Sequence, residues 1–214
     1  MKNLLKIFTV FLILVSTSCT QEGLIDSPIE SKKASKSTAD VFNVVNGTMV
    51  GTSNLHRNKN GITVNFKTTD LTPGYAYTLW WVIWNNPQEC EGYPLACAES
   101  DFAIADLVEV EVLYAAGHVV GGSGTGNFSG HLNENDASES INYLFPIDSN
   151  GGLHDAETAE VHLVLRSHGP AIPGMVNEQI GSYLGGCSTF FDAFTEIPDD
   201  VGECGDFEAA IHQL

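Results

Sequence analysis

Seven histidines, at positions 56, 118, 131, 154, 162, 168 and 212, are the residues here whose type is best suited to chemistry. Neutral imidazole is a common ligand for zinc and copper. In the segment EVHLVLRSH, strand alternation puts His162, Val164, Arg166 and His168 on one face. His162 and His168 then lie about 20 Å apart, too far to share one ion. A partner must come from a neighbouring strand, and His118 and His131 stand in segments of β type. His118, His131 and His162 are therefore the candidate ligands for one transition metal. Scattered histidines without a fixed short spacing more often hold ordinary polar positions on a sheet, and that is the favoured expectation. Arg166 is the only basic residue after Lys67. Its expected role is an ion pair, with Glu160 or Asp155 nearby in sequence. The sharper alternative makes Arg166, with His168, a contact for the carboxylate of a ligand.

Two acidic stretches offer different chemistry. Glu89, Glu91, Glu99, Asp101 and Asp106 form one; Glu196, Asp199, Asp200, Glu203, Asp206 and Glu208 form the other. Dense loop carboxylates can hold calcium, which takes six to eight oxygens. The spacing matches no EF-hand, so solvated loops are the expectation. Nucleophilic catalysis has no G-x-S-x-G elbow to rest on. Carboxylate pairs for glycoside hydrolysis cannot be singled out among so many acids. The glycines of GHVVGGSGTGNFSGH are not followed by a phosphate-binding Gly-Lys-Ser/Thr, and fit strands relieved by glycine around a turn at 121–124.

The elements that must position these groups are strands. Segments of β character recur at 48–56, 62–69, 75–84, 107–120, 124–132, 159–167 and 206–212, with Gly, Asn, Asp and Pro between them. Asn58-Lys59-Asn60-Gly61 reads as a tight hairpin. Thr72-Pro73-Gly74 fits a type II turn. No segment holds a helical period over three turns. Seven or eight short strands with frequent turns give the expected class: all-β, an antiparallel β-sandwich. The strand YAYTLWWVIW is apolar on both faces. One face must meet the core. The other must be covered by the 86–106 loop or the C-terminal segment, because large exposed apolar patches are rare.

Three stretches together resemble the CHRD domain: GTSNLHRNKNGITVNFKTTDLTPG, GSGTGNFSGHL and AEVHLVLRSHGPAIPG. That resemblance implies a secreted β-sandwich related in architecture to copper–zinc superoxide dismutase. The family usually carries His-x-His after its LTPG turn, where this chain reads Tyr75-Ala76-Tyr77. The resemblance therefore implies the fold without a dismutase-like copper site.

The first residues, MKNLLKIFTVFLILVSTSC, have the layout of a secretory signal: Lys2 and Lys6, an apolar run from Ile7 to Val15, then small residues. The run is shorter than the roughly 20 residues needed to cross a bilayer. Residues 1–18 are the expected signal, and Cys19 the expected lipid attachment site. Ser16 stands where a lipobox usually has an apolar residue, with Val15 one place further out. Thr20, rather than Asp, follows Cys19, which in bacterial lipoproteins favours the outer membrane. Acyl chains such as palmitate on Cys19 would anchor the chain without a spanning helix. Residues 19–37 read as a flexible tether and 38–214 as a single domain. Cys90, Cys97, Cys187 and Cys204 remain, an even number that reads as two disulfides in an exported chain. Three pairings are possible. Cys90–Cys97 and Cys187–Cys204 are favoured because each pair brackets a loop-like stretch, and the spacings do not suit zinc.

From residue 38 onward, four basic residues face 24 acidic ones. That excludes nucleic acid, whose binding needs cations against phosphate, and electrostatic docking on anionic lipid. The expected function is a cell-envelope lipoprotein with a non-enzymatic binding or structural domain, its ligand or partner protein undefined. The alternative is a copper- or zinc-dependent redox or hydrolytic enzyme using the histidine face.

Overall fold

A computed structural model describes residues 34–187 and 204–214. The expected signal, Cys19 and Glu196, Asp199, Asp200 and Glu203 of the second acidic stretch lie outside them. Among the described residues there are eight strands: β1 (Ser35–Asn43), β2 (Met49–Asn58), β3 (Gly61–Thr68), β4 (Tyr75–Trp84), β5 (Val110–Val119), β6 (Gly126–Asn133), β7 (Glu160–Pro170) and β8 (Gly205–His212). All neighbours pair antiparallel in one sheet, in the order β5-β4-β7-β8-β1-β2-β3-β6. The α-helices among the described residues, α1 (Ala105–Val108) and α2 (Val176–Gly181), are short. No helix among the described residues is long and apolar enough to cross a membrane.

The all-β antiparallel expectation holds, but the architecture is a single sheet curled almost into a barrel. The sheet's two ends, β5 and β6, are consecutive in the chain yet do not pair. They come together nonetheless: a Cβ placed on Gly130 would stand 2.8 Å from the Ala115 carbonyl oxygen. Glycine at 130 is what lets the ends approach so closely. Sandwich and barrel impose the same inward–outward alternation on each strand, so alternation does not distinguish them.

The segment after β6 covers the exposed edge of β5. Tyr114 donates to the Glu139 carbonyl, Ile141 to that of Val112, and Val112 N–H donates to the Asn142 side chain at 2.8 Å. Asn142 in turn donates to the carbonyls of Val110 and Asp148. An otherwise open edge is thereby satisfied and blocked from pairing with other chains.

Both turns form as read. Asn58 and Gly61 are paired across a two-residue connection. Gly74 has φ of 80°, the left-handed value a type II turn requires after Pro73. The disulfides are Cys90–Cys97 and Cys187–Cys204. β1 starts at Ser35, inside the stretch read as tether. Its outer residues are polar and its first half is exposed, so main-chain pairing with β2 and β8, not apolar periodicity, defines it.

The barrel core draws Val41, Leu55, Val64, Phe66, Leu79, Trp81, Leu113, Phe128, Leu163 and Leu165 from strands β1 to β7. Burying each such side chain stabilises the fold by about 1.5–3 kcal/mol.

Candidate functional site

The two apolar faces of β4 do different things. Tyr77, Leu79, Trp81 and Ile83 fill the barrel. Trp80, Val82 and Trp84 face outward. The outward face is covered by three segments rather than one, and the cover is incomplete. A cavity of about 500 Å³ remains, within the range of small-ligand sites. Its floor is Trp80, Val82 and Trp84 of β4, Val112 of β5, and His162 and Val164 of β7. Its walls are Glu99 and Phe102 from the 85–109 segment, Leu144, Phe145 and Pro146 from the segment after β6, Tyr183 beyond α2, and Asp206 of β8.

Each wall is fastened to the sheet. Asp101 is buried, and its carboxylate accepts from the backbone N–H groups of Glu91 and Ala98, holding the turn that presents Glu99 and Phe102. The Cys90–Cys97 disulfide closes the same loop. Glu160 accepts from the Cys97 N–H at 2.7 Å and bonds His162 Nε2 at 2.6 Å, so one carboxylate ties the loop to the cavity floor. Glu111 anchors the second wall. It is fully buried and accepts from the hydroxyls of Ser140 and Ser149 and the N–H groups of Asn150 and Gly152. Arg166 anchors the third. Its guanidinium lies 4.1 Å from the Tyr183 ring centroid, donates to the Tyr183 carbonyl at 3.1 Å, and pairs with Asp206 at 2.7 Å.

Burial holds the Asp206 carboxyl above the usual carboxylate range; Arg166 opposes this and the nearby Glu99 charge adds to it. Burial likewise raises the Tyr183 phenol, with the charges of Asp206 and Glu99 in the same sense. The indole N–H groups of Trp80 and Trp84 are buried and meet no acceptor among the described residues.

Of the histidine readings, the shared metal site needs correction. His118, His131 and His162 do not converge. His118 is opposite Tyr77 and His162 opposite Val82 on the same strand β4. Five residues separate those positions, about 16 Å. His118 stacks on the barrel residue Phe128 at 4.2 Å, whereas His131 is exposed and bonds Thr63 and Asn133. Cross-strand register puts His118 on the inward face with Tyr77 and His162 on the outward face with Val82, so the sheet itself separates them. Arg166 pairs with Asp206, its cross-strand partner, rather than with Glu160 or Asp155. His168 does not line the cavity. It is fully buried, bonded to Thr78 and 3.8 Å from Cys204 Sγ, and burial beside Arg166 lowers its pKa to about 3. For calcium, the described residues bring no three carboxylates within 4.8 Å of one another.

Glu99, Phe102, Phe145, Tyr183 and Asp206 as cavity residues were not marked as a group by the sequence. Trp80 and Trp84 were legible as a face needing a cover; which residues supply it depends on how the loops fold back. No protein-family model matches the chain, and no curated protein matches it.

Proposed function

We propose that this chain is an envelope-anchored, non-enzymatic binding protein, and that the aromatic cavity on the outer face of β4 receives a small ligand. One observation carries the reading: an open, mostly apolar cavity with five aromatic rings in its lining lies on the sheet, with every wall fastened by buried polar contacts. Binding sites of small molecules have this character. Among the described residues no Ser, Cys or Lys lines it, and His162 and Asp206 are already committed to Glu160 and Arg166, so these residues do not assemble a nucleophile with a free base.

The test uses N-phenyl-1-naphthylamine, a neutral aromatic probe that brightens in apolar sites. The full chain is expected to bind it saturably, and Val82→Trp, which fills the floor, to weaken binding about tenfold or more. Absence of binding, or equal binding by both chains, overturns the reading.

The anchoring part of the proposal is that Cys19 carries acyl chains after removal of residues 1–18, a reading checked directly by mass. Intact-mass measurement of membrane-extracted protein should give a mature chain starting at an acylated Cys19. An unmodified Cys19, or a different N-terminus, defeats it.

A further inference from the structure

We propose that the cavity is selective for a small organic cation, an alkylated ammonium group; this rests on reading the cavity as a binding site. Five rings form a continuous belt. Trp80 meets Tyr183 at 5.3 Å, Tyr183 meets Phe145 at 5.4 Å, Phe145 meets Phe102 at 5.7 Å, and Phe102 meets Trp84 at 5.3 Å. Interplanar angles of 67°, 74°, 45° and 79° pack each ring against the last, edge to face or tilted, and all five line the cavity. Ring faces carry negative electrostatic potential, and aromatic boxes of this kind bind quaternary ammonium groups.

The charge distribution agrees. Glu99 and Asp206 both line the cavity. The guanidinium of Arg166 answers Asp206 from below and is itself buried. Its position 4.1 Å from the Tyr183 ring shows that one belt member already accepts a cation on its face. A bound cation would also relieve the repulsion between Glu99 and Asp206. An anion would meet two carboxylates, and the strongly acidic domain would repel it before arrival. A neutral sugar fits less well: it stacks best on a flat ring platform, and it needs donors as well as acceptors. Among the described lining groups, His162 is engaged with Glu160 and the indole N–H groups of Trp80 and Trp84 are buried away from the cavity's accessible surface, which leaves the Tyr183 hydroxyl, itself accepting from Arg166, as the donor at hand.

The experiment titrates the full chain with choline and with 3,3-dimethyl-1-butanol, its uncharged isostere, at constant ionic strength, alongside glucose. Readouts are calorimetry and displacement of N-phenyl-1-naphthylamine. Choline is expected to bind saturably and displace the probe, with the isostere about tenfold weaker. Glu99→Gln, at an exposed position that leaves folding intact, should weaken choline about fivefold and leave the isostere unchanged. Trp84→Phe should weaken choline as well, since indole is the strongest cation acceptor among the rings. Equal binding of choline and isostere, insensitivity to Glu99→Gln, or displacement by glucose but not choline would each overturn the cation assignment. If the probe binds the cavity and choline does not, the assignment falls while the binding-site reading stands. If the probe fails to bind, or binds Val82→Trp equally, both fall.

Discussion

Glu111→Ala is expected to lower the free energy of unfolding by about 4 kcal/mol, among the largest effects of any single substitution in this domain. Glu111 stands on the same face of β5 as the core residue Leu113, yet it is a carboxylate with no accessible surface. Four donors meet it: the hydroxyls of Ser140 and Ser149, and the N–H groups of Asn150, at 2.7 Å, and Gly152, at 3.2 Å. Truncation leaves those donors without an acceptor, and each buried orphan costs about 1–3 kcal/mol, offset in part by relaxation of the loop. Gln at 111 keeps one acceptor oxygen but turns an amide toward the remaining donors, so a loss of about 2 kcal/mol is expected. Urea unfolding with unchanged slope measures both. A loss below about 1 kcal/mol for Glu111→Ala would show that the carboxylate is not what holds this segment. Because the same segment carries Leu144, Phe145 and Pro146, the variant should also lose probe binding at the cavity.

Glu208→Gln is expected to act in the opposite direction, raising stability by about 3 kcal/mol at pH 8 while changing little at pH 4. Glu208 is fully buried, accepts one hydrogen bond from Thr68 at 2.9 Å, and has a second oxygen with no partner among the described residues. Burial, aided by the charge of Asp70 and opposed by the Thr68 bond, pushes its pKa up from 4.5 to about 7. The folded chain therefore holds this proton more tightly than the unfolded one. Below about pH 4.5 both states are protonated and the group imposes no penalty. As pH rises toward 7 the unfolded chain ionises first, stability falls, and the whole penalty persists above 7. Glutamine removes that ionisation. His212 and His168, whose pKa values burial lowers to about 4 and about 3, act with the opposite sign at acid pH. They are present in both chains, so the difference between wild type and variant isolates Glu208. Thermal or urea unfolding across pH 4–8 should show a gap that opens with rising pH. A gap independent of pH would mean that Glu208 is not protonated in the folded domain.

Neither residue was legible as what it is. Glu111 sits in VEVLYAA and Glu208 in DFEAAIH, each a carboxylate flanked by apolar residues. The parity of Glu111 with Leu113, and of Glu208 with Ala210, marks both as inward-facing, a signal that was present in the alternation. What the alternation could not supply is the set of distant donors around Glu111, more than 28 residues away in the chain.

The chain's β class, most of its strand positions, the hairpin at 58–61, the turn at 72–74 and the local disulfides follow from the sequence itself. These depend on contacts and dihedral preferences spanning a few residues: alternation, the left-handed freedom of Gly74, and short loops between cysteines. The doubly apolar β4 also announced that its second face would need a cover. Only the tertiary structure decided that the sheet curls on itself, because closure depends on β5 and β6 meeting at Gly130 and Ala115, a contact that alternation within either strand does not encode. It likewise decided that the histidines stay apart, that Arg166 faces Asp206 across the β7–β8 ladder, and that Phe102, Phe145 and Tyr183 converge over Trp80 and Trp84. Periodicity reports which side of a strand a residue occupies; strand order, register and the return of loops decide what lies opposite it.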